Sequence, residues 1–130
     1  MEQVTARILL VDDEPPLLKM MSLYLTRLGY TVTTSGTTGA AWEEVEAAPG
    51  NFDIAVLDAT MPGMTVHELA LKMLAASSTM RVLAASGYPV DMSDVKAQAP
   101  GRVDFLHKPF TPEMLATALR RMLAPQEEDL

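Results

Sequence analysis

Four short apolar runs each lead to a group able to do polar chemistry. Val11 is followed by Asp12-Asp13, Leu57 by Asp58 and Ala85 by Ser86, and the run ending at Leu106 leads through His107 to Lys108. Three carboxylates brought near one another repel, and at least one takes up a proton unless positive charge sits among them. Lys108 supplies one unit and a divalent cation would supply two, which together balance three carboxylates. Oxygen donors alone suit a hard ion that keeps part of its water shell, so Mg²⁺ is the natural candidate, with Mn²⁺ able to substitute. Taken singly, these residues have ordinary uses. An Asp after a strand is commonly a helix cap, as Asp13 could be before Pro15, a Ser is commonly a turn hydroxyl, and a Lys a solvated cation. Their joint occurrence at four run ends is what points to a site.

The elements that must position these groups follow from periodicity. Runs at Ile8 to Val11, Tyr30 to Thr33, Ile54 to Leu57, Val82 to Ala85 and Val103 to Leu106 are too short for typical helices and read as five strands. Between them, helical spacing recurs at Leu17, Met21, Leu25 and Leu28, at Trp42, Val45 and Ala48, and at Leu69, Met73 and Ala76. Leu115, Ala118, Leu119 and Met122 make a last helix. The segment from Val90 to Ala99 is the weakest helix, short and closed by Pro100-Gly101. Pro15-Pro16 suits a helix first turn, Gly29 and Gly50 suit helix C-termini, and Thr111-Pro112 suits a cap followed by the first helical residue. Alternating strands and helices with mostly apolar strands imply a parallel sheet between helix layers, an α/β fold of five βα units. Ligands of such sheets bind outside the carboxyl ends of the strands, where the four groups lie.

Composition sets limits. The chain of 130 residues, 48% hydrophobic and 21% charged, has room for one core and one domain. The domain is expected over residues 1–125, with an acidic tail at 126–130 expected to fray. A net charge of −7, with no basic cluster longer than Arg120-Arg121, gives no footprint for direct nucleic-acid binding. There is no cysteine, hence no disulfide or thiolate site. No apolar stretch approaches the roughly 18 residues of a spanning helix, so no membrane partner and a cytoplasmic location are expected.

The sequences VDDEP at Val11 to Pro15, LDATMPGM at Leu57 to Met64, ASGY at Ala85 to Tyr88 and HKPF at His107 to Phe110 resemble the receiver domains of two-component response regulators. Four motifs in the right order, spanning nearly the whole chain, make the resemblance specific. It implies a flavodoxin-like (βα)5 fold with strand order 2-1-3-4-5, and a stand-alone regulator or a receiver from a hybrid histidine kinase. It implies that Asp58 is the phosphoacceptor, that Asp12 and Asp13 hold the metal with Asp58 and the Thr60 backbone carbonyl, and that Ser86 and Lys108 meet the phosphoryl oxygens. The donor is then a histidine kinase or phosphotransfer protein. The chain would be a switch that catalyses its own phosphorylation and dephosphorylation, and not a turnover enzyme. The resemblance also implies that Phe105 turns inward when Ser86 is drawn to the phosphoryl group. That would alter the surface of the fourth helix, fifth strand and fifth helix, where a downstream protein, cis-linked kinase domains or a second copy would bind. A cis Lys108-Pro109 bond is implied as well.

Some features depart from the family or stand outside its pattern. Thr65-Val66 stands where the family often has an acidic or small residue and then Gly, which bears on the loop after Asp58. Tyr88 and Thr60 flank the expected phosphoryl position and could govern water access. Met21, Met73 and Met122 lie at helical spacing and read as packing, and His67 and His107 fit no metal-ligand pattern. Other readings are an aspartyl-phosphate phosphohydrolase, a receiver-like module that is not phosphorylated, and a flavin-binding protein. The first lacks the second Asp at position 60, the second should have lost an acidic residue or the lysine, and the third needs a phosphate-cradling loop where Asp13-Glu14-Pro15-Pro16 stands.

Overall fold

In the computed structural model, which describes residues 5–124, the five apolar runs form one parallel sheet. The acidic tail lies outside the described residues. In chain order the elements are β1 (Arg7–Val11), α1 (Pro15–Arg27), β2 (Thr31–Ser35), α2 (Thr38–Ala47), a 3-10 turn (Pro49–Asn51), β3 (Ile54–Asp58), α3 (Val66–Ala76), β4 (Arg81–Ser86), α4 (Ser93–Gln98), β5 (Val103–His107) and α5 (Pro112–Leu123). The strands lie in the order β2-β1-β3-β4-β5, all parallel, which is the flavodoxin-like arrangement.

Strand side chains alternate between two covered faces, which is why the central strands need no polar alternation. Ile8, Leu10, Ile54, Val56 and Leu83 pack with Met21 and Leu25 of α1 and with Leu115 and Leu119 of α5. Leu9, Val11, Ala55, Leu57, Val82 and Ala84 face α2, α3 and α4 through Val45, Leu69, Met73 and Val95. Each fully buried Leu or Ile contributes about 1.5–3 kcal/mol relative to exposure.

Caps set the helix starts. The hydroxyls of Thr37, Thr65 and Thr111 accept from the backbone N–H three residues on, at Ala40, Glu68 and Met114. Pro15 and Pro112 occupy first turns, where a missing N–H costs nothing. Thr65 caps α3 so that Val66 enters as its first residue, buried in the core, and the loop after Asp58 accommodates the β-branched side chain. Gly29, at φ +105, ends α1 as expected.

Gly50 does not end α2. The helix stops at Ala47 and Ala48 turns away at φ −151, because the residue before a proline is pushed out of the helical region, and Gly50 falls inside the 3-10 turn. Tyr30 likewise stays outside β2, its N–H bonded to the Leu25 carbonyl at the end of α1. The short fourth helix is six residues long, with Val95 as its buried anchor. Among the described residues no helix is long and apolar enough to cross a membrane.

Candidate functional site

The alternation that builds the two cores also sorts the charged strand ends. Asp12 continues the series Ile8, Leu10, Asp58 continues Ile54, Val56, and Lys108 follows Leu106, so all three belong to the face covered by α1 and α5. Their side chains meet. Lys108 Nζ lies 3.3 Å from Asp12 Oδ2 and 3.5 Å from Asp58 Oδ2. Asp12 and Asp58 are buried, at 4% and 7% exposure, while Asp13 is exposed. Carboxylate oxygens of Asp12, Asp13 and Asp58 nevertheless all lie within 4.8 Å of one another.

Backbone bonds hold the strand ends in place. Ala59 N donates to the Ala85 carbonyl at 2.8 Å and Lys108 N to the Ser86 carbonyl at 2.8 Å, which extends the ladder past the last strand residues. The Lys108-Pro109 bond is cis, as the resemblance implied.

Each oxygen of the two buried carboxylates has an assigned contact. Asp12 Oδ1 accepts from Glu14 N at 2.9 Å, so Asp12 and not Asp13 satisfies the start of α1. Asp13 is no cap: Glu14 occupies the cap position, and the exposed Asp13 carboxylate stays beside those of Asp12 and Asp58. Asp58 Oδ1 accepts from both Thr60 N, at 3.0 Å, and Thr60 Oγ1, at 2.8 Å, leaving Oδ2 toward Lys108. Burial alone would lower the Lys108 pKa. The facing carboxylates of Asp12 and Asp58, with their hydrogen bonds, outweigh that and hold the ammonium above the ordinary lysine value. Three carboxylates and one ammonium leave a surplus of negative charge with hard oxygen donors, a set that fits a divalent cation such as Mg²⁺.

Ser86 belongs to the other face. It follows Val82 and Ala84 in the alternation, is fully buried, and its hydroxyl accepts from Tyr88 N at 3.2 Å. Among the described residues no hydrogen bond joins this hydroxyl to the side chains of Asp58 or Lys108. Phe105 shares that face. It is half-buried against the α2–α4 core and meets the His107 ring edge-on, centroids 4.9 Å apart. Tyr88 is 60% exposed.

Two contributors were missed in the sequence. The Thr60 hydroxyl grips Asp58, where only its carbonyl and a gating role had been expected. Thr38, at the first turn of α2, accepts from Met64 N at 3.1 Å and donates to the Pro62 carbonyl at 3.5 Å, so it ties down the loop that follows Asp58. Gly63 in that loop sits at φ +96, and a Cβ there would come 2.5 Å from Thr38 Oγ1. The adjacent pair Thr37-Thr38 was the available signal, since a helix start uses one threonine as its cap and leaves the other free.

Comparisons with known proteins agree with this geometry. The family described as "Response regulator receiver domain" matches residues 8–120. The DNA-binding transcriptional regulator NtrC of Rhizobium meliloti is 30% identical over 92% of this chain and 24% of its own length. The sensor kinase CckA of Brucella abortus is 32% identical over 95% of this chain and 13% of its own length. This chain therefore spans about a quarter or less of either relative. The chemotaxis protein CheY4 of Vibrio cholerae superposes with a TM-score of 0.78 at 29% identity, covering 92% of this chain and all of CheY4. Receiver domains are phosphorylation-regulated signalling switches, generally not turnover enzymes, and interact with histidine kinases or phosphotransfer proteins. With strand order, charged strand ends and a match over residues 8–120 in agreement, this chain belongs to the response regulator receiver domain family.

Proposed function

We propose that the chain is a phosphorylation-activated switch whose Asp58 carboxylate accepts a phosphoryl group from a phosphohistidine on a partner histidine kinase or phosphotransfer protein. The observation that carries the reading is the buried Asp58 carboxylate gripped by Thr60 on one oxygen and facing Lys108 on the other. An Asp58 oxygen attacks phosphorus in line. The new P–O bond forms as the P–N bond breaks, and the electron pair leaves with the imidazole nitrogen. Lys108 neutralises charge on the transferring oxygens, so the protein's contribution is positioning and electrostatics. Thr60 fixes the carboxylate plane. Asp12, Asp13, Asp58 and the Thr60 backbone carbonyl would hold Mg²⁺, or Mn²⁺ in its place. When bound, the ion adds positive charge against the phosphoryl oxygens.

The switch starts at Ser86. Its hydroxyl gives up the Tyr88 amide to donate to a phosphoryl oxygen, and Phe105 follows inward from its edge-on contact with His107. Phe105 lines a groove with Pro89 to Ser93 and Lys96, so this movement reshapes the surface of α4, β5 and α5. A downstream protein, a cis-linked kinase domain or a second copy would read that surface. A cytoplasmic location goes with this reading, since phosphohistidine donors are made from ATP. Coupling of this kind is typically about 1–3 kcal/mol and biases an existing equilibrium.

The test is incubation with Mg²⁺ and a small phosphodonor, or with phosphohistidine kinases, comparing wild type with Asp58→Asn. Labelling is expected in wild type alone, and labelling that persists in the variant overturns the assignment of Asp58. NMR contacts of the Phe105 ring should change on activation, and unchanged contacts remove the switch step.

A further inference from the structure

At the opposite end of the sheet, where the strands begin, a cavity of about 520 Å³ is lined by Leu28, Tyr30, Asp53, Arg81, Arg120 and Leu123. Its charges are arranged unusually for a chain of net charge −7. The lining carboxylate, Asp53, is already committed. Its Oδ2 accepts from Arg7 N at 2.7 Å and Nε at 3.4 Å, and its Oδ1 from Arg7 Nη2 at 3.3 Å. Arg81 and Arg120 have no such partner. Neither forms an ion pair with an acidic group among the described residues, and the one side-chain hydrogen bond between them is from Arg120 to the Thr117 hydroxyl at 3.2 Å.

Arg81 Nε is buried with no acceptor among the described residues. A buried donor left unsatisfied costs about 1–3 kcal/mol, so an acceptor arriving there would be favoured. Register explains how it is held. Arg81 is the first residue of β4, opposite Ile54, and its own N–H is bonded to the Asp53 carbonyl at 3.0 Å, so the stem of its guanidinium is tied to the amino-terminal end of the sheet. The Arg102 guanidinium, held by the Met80 and Ser77 carbonyls, has its pKa lowered by burial and then by the charge of Arg81. Arg81 and Arg102 thus lie near each other at this end of the sheet, and neither has an acidic partner among the described residues. The Arg81 and Arg120 guanidinium groups over an apolar floor of Leu28, Tyr30 and Leu123 suit a carboxylate borne on a peptide, because a guanidinium offers a planar fork of donors matched to a carboxylate.

The chain supplies such a peptide at that place. Ala124 lies in the cavity wall and leaves α5 extended, at ψ 149, and the sequence continues Pro125-Gln126-Glu127-Glu128-Asp129-Leu130. Three residues span up to about 10 Å, so Glu127 and the carboxylates after it are within reach of the two arginines. We propose that this cavity is a carboxylate-binding site and that its occupant is the chain's own acidic segment Glu127-Glu128-Asp129, docked on Arg81 and Arg120.

The Arg81 Nε–H resonance reports on the site directly in the 130-residue chain, without Mg²⁺ or phosphodonor. Neutralising the segment with Glu127→Gln, Glu128→Gln and Asp129→Asn together should move this resonance and speed its exchange with water toward that of the exposed Arg27. The segment's peptide, added in trans to the neutralised chain, should restore the shift only at about millimolar concentration, the effective concentration a short tether provides. Glu2→Gln, near the other terminus, should leave it in place. A resonance that ignores tail neutralisation but moves with added glutarate overturns the tail as occupant and assigns the site to an external carboxylate. A resonance moved by Glu2→Gln alone also overturns the tail. No response to neutralisation, peptide or glutarate overturns the site itself.

Discussion

The two ends of the sheet carry opposite charge imbalances. Where the strands finish, Asp12 and Asp58 share the ammonium of Lys108, with the Asp13 carboxylate beside them. Where they begin, Arg7 is paired with Asp53, while Arg81 and Arg120 line the adjoining cavity with no ion pair among the described residues. The finishing end is tightly cross-bonded, with both oxygens of each buried carboxylate in contact, whereas the beginning end leaves one arginine donor buried without an acceptor among the described residues. An excess of buried negative charge calls for a cation, and an excess of positive charge for an anion. One fold thus presents two sites of opposite electrostatic demand, separated by the length of its strands.

Removing one cation at each end tests this contrast most strongly. Lys108→Met leaves Asp12 and Asp58 facing each other, and without divalent ions we expect a loss of about 1–3 kcal/mol, largely recovered on adding Mg²⁺. Arg120→Gln removes a guanidinium bonded only to Thr117 among the described residues, and should change stability by under about 1 kcal/mol with no Mg²⁺ dependence. Chemical denaturation of both variants with and without Mg²⁺ reads the difference, and equal losses would erase it.

A second pair sharpens the difference in packing. Gly63 and Gly29 both hold positive φ, at +96 and +105, but a Cβ at Gly63 meets Thr38 Oγ1 whereas nothing lies within 4 Å at Gly29. Gly29→Ala should cost about 1–2 kcal/mol for the backbone alone. Gly63→Ala should cost a further ~1–3 kcal/mol for the forced approach to Thr38. Matching melting temperatures for the two variants would show that the loop yields.

Smaller effects follow from single bonds. Thr60→Val keeps the shape and removes one donor to Asp58 Oδ1, at about 1 kcal/mol, and should change the lifetime of the phosphorylated form. An unaltered decay rate would exclude the hydroxyl from holding the carboxylate. Smallest is a pH effect at α4. The Asp91 carboxylate accepts side-chain and then backbone bonds from Ser93, which hold its pKa below the ordinary value. The stabilisation it gives the first turn is complete above the ordinary aspartate value and is lost as pH falls through the lowered one. Amide protection at Val95 and Lys96, corrected for intrinsic exchange, should fall over that window in wild type and stay level in Asp91→Asn.

Much of this was readable along the chain because the physical signals are local. Ile8 to Val11 and Ile54 to Leu57 are continuous apolar runs, which only strands covered on both faces require, and the polar residues just past them had one crevice to share. The errors came from competition between neighbours. Pro49 overrode Gly50 as the end of α2, and Asp12, not its neighbour Asp13, took the Glu14 amide. The arginine cavity was invisible because residues 81 and 120 look like solvated cations until the fold brings the start of β4 and the end of α5 to one cavity wall. The Thr38 latch was hidden for the same reason, since its partners lie 24 and 26 residues away.

The alternation that places Asp12, Asp58 and Lys108 on one face has a consequence for how such a chain can change length. A strand repeats every two residues, so inserting or deleting a single residue within β1 or β3 would swing its terminal carboxylate into the opposite helix layer. Insertions in loops, or in steps of two within a strand, would leave it in place. Length variation compatible with function should therefore be parity-restricted inside the strands and unrestricted in the connections at the far pole.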